Sequence, residues 1–307
     1  MKLYAAPMEG ITTWVWRGVH REIFGGADGY MTPFLSPNAN MSFQYKEIAE
    51  LSHREADVVP QLLANRAEYF LWGMDEAAKY GYETVNLNMG CPSGTVVAKR
   101  KGSGLLGDPA LLEALLDGIY TARPDAALSV KTRIGRYDAA EWPRLLEIYN
   151  KYPLRCLIVH PRLQREMYLG SAHRDAFTYA RQTAKMPLIY NGDITDPDDP
   201  MLREDTDVMI GRGLLMDPAL LRRIRGGPPA GREELIAYHD ALLQGYLDAY
   251  GSPMPALYKM RGLWVYLGEA FAESQRYLKV IFKAKDMAAY KTAANAILYQ
   301  STLTGEG

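Results

Sequence analysis

Short apolar runs rich in β-branched residues recur along the first two-thirds of the chain, and each gives way to a stretch with apolar positions at helical spacing. Eight such runs read as strands: KLYAAP (2–7), GYMTPF (29–34), DVVPQLL (57–63), TVNLN (84–88), LSVKTR (128–133), CLIVH (156–160), PLIYNG (187–192) and DVMIG (207–211). AEYFLWGMDEAAKYG (67–81) and PALLEALLDGIYTAR (109–123) read as two of the helices between them. The second opens on Asp108 as N-cap with Pro109 in the first helical position. Eight strand–helix units over roughly 225 residues predict an α/β fold of the (β/α)8 TIM-barrel type. A doubly wound open sheet is the alternative, and the count of eight favours the barrel.

The pattern breaks at GGPPAG (226–231), the strongest linker signal in the sequence. Beyond it, REELIAYHDALLQGYLDAYG, LYKMRGLWVYLGEAF and AESQRYLKVIFKAKDMAAYKTAANAILYQ carry helical periodicity with little strand pattern. The expected organisation is a barrel over 1–226 and a small all-helical domain over 231–307. The composition break further predicts that the barrel keeps any cofactor without the tail.

Composition narrows the setting. With 307 residues, 48% hydrophobic and 23% charged, the chain is long enough for one large and one small core. A formal net charge of −1 gives no global argument for nucleic acid or membrane. Two cysteines suggest a reducing compartment, and no apolar run reads as a signal peptide or membrane span. A cytoplasmic monomer is expected. No HExxH, CxxC or paired His/Cys spacing suggests a metal.

In a barrel the chemistry sits where strands end. Here the strands end in Pro7-Met8-Glu9, Thr32-Pro33-Phe34, Gln61, Asn86 and Asn88 leading to Cys91, Lys131 and Arg133, His160 and Arg162, Asn191-Gly192-Asp193, and Gly211-Arg212-Gly213. A lone Lys131 reads as a solvated end and a lone His160 as a structural histidine. Eight polar ends above apolar bodies are hard to explain by solvation. The glycines of NGDI and IGRG suit a phosphate held on backbone N–H groups, with Arg212 adding a charge-assisted contact. Gly102-Ser-Gly-Leu-Leu-Gly107 fits G-x-G-x-x-G, but it does not directly follow a strand, and the next strand ends in Lys131 rather than an acid. A Rossmann reading is rejected. Lys99-Arg100-Lys101 reads as a solvated loop that also suits a polyanionic substrate. Cys156 lies inside an apolar strand and reads as core, whereas Cys91 sits in the Gly/Pro-rich loop NMGCPSG. Either a nucleophile or a proton donor fits that loop. A proton donor needs no activating base, because an ordinary thiol, with a pKa of about 8.5, keeps its proton near neutrality.

NLNMGCPSGTV resembles the signature loop of tRNA-dihydrouridine synthases. AAPMEGIT, VPQLL, SVKTRIG, VHPRLQREMYLG, YNGDI and MIGRGLLMDP are similar to that family's segments, in the family's order, and LYKMRGLWVYL is similar to part of its helical RNA-binding domain. The resemblance implies an FMN enzyme that uses NADPH to reduce the C5–C6 double bond of a uridine in tRNA. Hydride would go to C6 and a proton from Cys91 to C5. It also implies roles. Pro7, Met8 and Glu9 would line the flavin, Gln61 would bond its ring edge, and Lys131 and His160 would hold it. Asn191, Gly192, Asp193, Gly211 and Arg212 would cradle ribityl and phosphate. Asn88 would contact the base, while Arg162, Lys259 and Arg261 would serve the RNA.

Two departures stand out: Pro33, where many members carry an acid, and Pro161 in place of the glycine of His-Gly-Arg. The tail is not markedly basic, so RNA binding must come from local clusters. An FMN barrel enzyme that reduces a small-molecule C=C bond shares the same strand-end chemistry, but has no evident use for the helical tail. A non-catalytic RNA-binding barrel is opposed by the intact Cys91, Lys131 and His160.

Overall fold

The computed structural model describes residues 1–304. Nine strands form one sheet: β1 Leu3–Ala5, β2 Gly29–Met31, β3 Val58–Val59, β4 Gln61–Leu62, β5 Val85–Met89, β6 Leu128–Gly135, β7 Leu157–Leu163, β8 Leu188–Tyr190 and β9 Asp207–Ile210. The order is β3-β2-β1-β9-β8-β7-β6-β5-β4. The two ends of that list are neighbours in sequence, joined by Pro60 alone. β3 pairs in parallel with β2, and β4 pairs in parallel with β5. The ring is therefore closed by one predicted strand, DVVPQLL, which becomes two because proline has no N–H for the ladder. Its carbonyl still accepts from Asn86 N at 2.8 Å. The eight predicted strands are thus the barrel, and the fold is of the (β/α)8 type.

The intervening helices start and face as their sequences dictate. Asp108 accepts Leu111 N at 3.2 Å and Pro109 is the first residue of helix Pro109–Ala122. Helix Ala67–Lys79 buries Phe70, Gly73, Met74 and Ala77, one stripe at 3.6-residue spacing. Inside the barrel Ala6, Met31, Ile158, Ile189 and Met209 form an apolar cluster, with Tyr4, Val59 and Cys156 packed against it. Cys156 belongs to this core, and burial pushes its thiol up to about 11.

The chain divides into two compact units. One comprises Met1–Pro7, Asp28–Asp193 and Asp205–Met209. The other comprises Met8–Ala27, Ile194–Glu204 and the chain from Ile210 onward. Within the second, four helices follow the linker: Arg232–Tyr250, Pro253–Leu267, Gln275–Lys283 and Met287–Gln300. The last three residues of the expected helical domain, 305–307, lie outside the described residues. Helix Trp14–Ile23 packs on Arg232–Tyr250, where a Cβ on Gly245 would come within 2.7 Å of Val15 Cγ1. Phe24 meets Tyr238 edge-on at 5.3 Å. No described helix is long and apolar enough to cross a membrane.

Candidate active site

Side chains alternate across a strand, so Asn86 and Asn88 share one face of β5, and Ser129, Lys131 and Arg133 share one face of β6. Register sets Asn86 beside Ser129 and Asn88 beside Lys131. A line of buried amides results. Asn88 Nδ2 donates to Gln61 Oε1 at 2.6 Å, Gln61 Nε2 to Asn86 Oδ1 at 2.8 Å, and Asn86 Nδ2 to Ser129 Oγ at 2.9 Å. The direction of the line is fixed at one end. Gly90 N and Cys91 N both donate to Asn88 Oδ1, at 3.0 and 2.9 Å. Backbone N–H groups can only donate, so each amide beyond them has one allowed orientation.

The Cys91 loop is held from its other side by the six-residue turn Gly102–Gly107. Ser103 donates to Cys91 O through N at 3.1 Å and Oγ at 2.8 Å. Gly102 has φ +55°, and a Cβ there would stand 2.9 Å from Cys91 O. A Cβ on Gly104 would stand 2.8 Å from Val97 O. The glycines that mimic a dinucleotide motif thus allow two backbones to approach. Arg133 adds a third tie, with Nε donating to Gly90 O at 3.0 Å and Nη1 to Leu163 O at 2.9 Å. Cys91 itself is half-buried.

The Lys131 ammonium has no hydrogen-bond or ion-pair partner among the described residues. The residue is only half-buried by accessible surface, yet enough protein surrounds it that desolvation holds its ammonium down to about 7. The Arg133 charge pushes the same way and a Cys91 thiolate would oppose it. Next along the sheet, Arg133 pairs in register with His160. The Tyr168 ring lies 6.2 Å from the His160 ring and 5.3 Å from the Arg133 guanidinium carbon. Tyr168 belongs to a loop fixed by Arg162, which is buried and donates to Leu169 O at 2.6 Å and Gly170 O at 2.8 Å. Arg162 also pairs with Asp193. Glu166 caps the same loop, accepting Leu163 N at 2.7 Å and facing His173 Nε2 at 2.8 Å.

The predicted residues thus sort by position. Gln61, Asn88, Cys91 and Lys131 come together, and His160, Arg162 and Asp193 adjoin one another along β7 and β8. Asn191 Nδ2 donates to Met209 O at 2.7 Å, tying the end of β8 to β9. A Cβ on Gly192 would stand 2.0 Å from the Tyr190 hydroxyl, so only glycine fits. Gly211 is the N-cap of helix Arg212–Met216, with Leu214 N donating to its carbonyl at 3.0 Å. Pro7 ends the first segment of one unit; Met8 and Glu9 open the second, in a turn closed by Ile11 N to Met8 O at 3.0 Å. Lys259 Nζ donates to Gly10 O at 2.8 Å, and Arg261 Nε is buried with no hydrogen-bond partner among the described residues. Lys101 Nζ is tied to Ser36 Oγ at 2.9 Å and Pro37 O at 3.3 Å, whereas Arg100 is exposed beside Asp108. No cluster of three or more His, Cys, Asp or Glu among the described residues suits a metal. The sequence assigned no role to Asn86, Ser103, Arg133 or Tyr168. Strand alternation signals the first and third, but nothing local signals the other two.

The family profile described as "Dihydrouridine synthase (Dus)" matches residues 4–299. The chain belongs to the dihydrouridine synthase family. It is a flavin-dependent oxidoreductase. Relatives include the tRNA-dihydrouridine(16) synthases of Ralstonia nicotianae and Cupriavidus necator. The first is 30% identical over 73% of this chain and 73% of its own. The second is 31% identical over 76% and 77%. The tRNA-dihydrouridine synthase B of Shewanella oneidensis is 25% identical over 94% of this chain and 92% of its own. Among solved structures, the old yellow enzyme homologue of Zymomonas mobilis has a TM-score of 0.53 at 10% identity, covering 75% of this chain and 90% of its own. The old yellow enzyme of Trypanosoma cruzi has 0.50 at 12%, covering 80% and 94%. These share the fold. The residues of this dihydrouridine synthase fit a flavin on their own chemistry. Lys131 brings a cation with no carboxylate against it among the described residues, Gln61 and Asn191 each keep a second amide hydrogen beyond those bonded to Asn86 and Met209, and the Asp193 carboxylate pairs with Arg162.

Proposed function

We propose that this enzyme reduces the C5–C6 double bond of a uridine in tRNA, with FMN as the bound flavin and NADPH as the reductant. The observation that carries the reading is Cys91, whose backbone is fixed on both sides just past β5, beside the Lys131 that neighbouring β6 presents. When bound, the flavin would supply the hydride that C6 of the uracil ring takes up. Cys91 donates its proton to C5, so that one hydride and one proton together saturate the bond, and the thiolate recovers its proton from solvent. Asn88 and Ser103 hold the Cys91 backbone while the proton moves. Lys131 would offset negative charge on the flavin, and Gln61 and His160 would hold and orient it. Gly192 and Arg212 would serve its phosphate. Tyr168, half-exposed beside His160, is suited to flank the flipped base.

The domain boundary at 226–231 and a cytoplasmic monomer belong to the same proposal. Within the tail, helix Gln275–Lys283 supports the RNA partner. Arg276, Lys279 and Lys283 are exposed at three- and four-residue spacing, which aligns them on one face. Such a face should give tRNA binding that weakens steeply with salt.

The deciding experiment combines two measurements. The chromophore of the purified protein is identified by mass, and the NADPH-reduced protein is mixed anaerobically with tRNA lacking dihydrouridine. FMN, reoxidation by tRNA and dihydrouridine in the product are expected. Reoxidation by a small enoate but not by tRNA would replace this reading with the small-molecule one.

Lys131 gives a prediction that needs no substrate. Its folded-state pKa is about 7, against 10.5 for an ordinary lysine. Between those values the unfolded chain holds the extra proton, so stability of the flavin-free protein rises with pH across that window. Lys131→Met should flatten that rise and stabilise the flavin-free protein at pH 7. With flavin bound, the same change should lower its two-electron reduction potential by about 30–60 mV, corresponding to ten- to hundredfold weaker differential binding of the reduced form. Chemical denaturation from pH 6 to 10 and a dye-coupled titration check the two parts.

A further inference from the structure

The loop Met8–Thr13 presents three consecutive carbonyls, and a side chain holds each one. Lys259 Nζ donates to Gly10 O at 2.8 Å, Tyr246 Oη to Ile11 O at 3.3 Å, and Arg17 Nη1 to Thr12 O at 3.0 Å. Two of the three donors come from the helical tail, more than 230 residues along the chain. The loop also closes on itself. Met8 N donates to Thr12 Oγ1 at 2.8 Å, and Ile11 N and Thr12 N donate to Met8 O at 3.0 and 3.1 Å. Gly10, at φ +77°, supplies the left-handed residue that this reversal requires. Helix Pro253–Leu267 meets the loop along one side, since a Cβ on Gly262, three residues after Lys259, would stand 3.9 Å from Ile11 Cγ1.

We propose that Lys259 and Tyr246 are positioning residues for the Met8–Thr13 loop, so that flavin retention depends on the helical tail. The inference rests on the reading of Met8 and Glu9 as flavin-side residues. A lysine that bonds a loop carbonyl in a half-buried setting does different work from one that meets RNA phosphates. Its ammonium is charge-assisted on Gly10 O, and its stem lies against protein. Tyr246 is buried and within hydrogen-bond distance of both Ile11 O and Thr13 Oγ1, so one phenol spans the end of the loop and the start of helix Trp14–Ile23. The tail then acts on the cofactor as well as on RNA. Removing it would free the loop, contrary to the expectation from composition that the barrel keeps its cofactor alone.

The test uses the full-length protein with Lys259→Met, Lys259→Arg and Tyr246→Phe. Three quantities are read: FMN affinity of the flavin-free protein, hydrogen exchange of the 9–13 amides, and tRNA affinity at saturating FMN. Methionine keeps the aliphatic stem, so folding should persist. Lys259→Met should weaken FMN binding about tenfold or more, the loss of one charge-assisted hydrogen bond. It should also speed exchange in the loop, shift the visible bands of the bound flavin and leave tRNA affinity within twofold. Lys259→Arg should restore FMN affinity, and Tyr246→Phe should weaken it to a lesser degree. Weaker tRNA binding with unchanged FMN affinity would overturn the inference and make Lys259 an RNA contact. Faster loop exchange with unchanged FMN affinity would overturn it too, by showing that the loop does not face the flavin. If the wild-type protein binds no FMN, the functional reading itself fails; if it binds FMN and Lys259→Met binds equally well, only the inference fails.

Discussion

Cys91→Ala is expected to slow reoxidation of the reduced flavin by tRNA roughly 10²–10⁴-fold, the usual worth of a positioned general acid. FMN binding and NADPH reduction should survive, because neither delivers a proton to C5. The structure makes this a clean substitution. The loop is held through the Cys91 backbone, with its N–H on Asn88 Oδ1 and its carbonyl on Ser103. Removing the sulfur leaves both ties intact, so the loss reports the thiol rather than a collapsed loop. Cys91→Ser should recover little, since a hydroxyl is a far weaker acid. Cys156→Ala is the control: it empties a small volume beside the apolar cluster inside the barrel, costing about 1 kcal/mol, and leaves the reaction alone. Anaerobic stopped-flow absorbance reads all three variants. Reoxidation of Cys91→Ala at the wild-type rate would remove the acid from this loop.

The second large effect is expected at Arg162. Its guanidinium is buried, pairs with Asp193 and bonds the carbonyls of Leu169 and Gly170. Arg162→Met leaves a carboxylate without its counter-charge and two carbonyls without their donor. Truncating one partner of such an arrangement costs about 3 kcal/mol or more. For a domain of this size that lowers the melting temperature by about 6–12 °C. The functional consequence follows from Tyr168, which sits one residue before the released carbonyls and faces His160 and Arg133. Turnover with tRNA should fall further than the loss of folded protein explains. A melting temperature within 2 °C of wild type would show that the loop is held by Glu166 and its neighbours without the arginine.

The strands were legible because parallel barrel strands carry dense apolar, β-branched runs, and each strand stops at a polar residue that does not belong in such a run. Asp108 and Pro109 announced their helix for the same local reason. What was not legible is set by partners far apart in the chain. Lys259 lies 249 residues from Gly10, and no spacing rule connects them. The resemblance gave Lys259 a place toward the RNA, and its bond to Gly10 is visible only in the fold. Pro60 stood in plain view inside DVVPQLL, but that it marks the closure of the ring follows only from which strand each half pairs with. The glycines of 102–107 read as a failed cofactor motif. Their use, the close approach of Gly102 to Cys91 and of Gly104 to Val97, is a property of two segments at once.

The one-way line of amides from Cys91 to Ser129 has a consequence for how this enzyme can change over generations. Each amide can point in one direction only, so turning one obliges its neighbours to turn as well, and Asp at 86 or 88 would set an acceptor where a donor is needed. A slip of β5 by a single residue would send Asn86 and Asn88 to the opposite face and release the backbone N–H groups of Gly90 and Cys91. Drift toward a new substrate is therefore blocked in the wall of the barrel. It remains open in the exposed 167–169 segment and along helix Gln275–Lys283, whose outward residues can be exchanged one at a time.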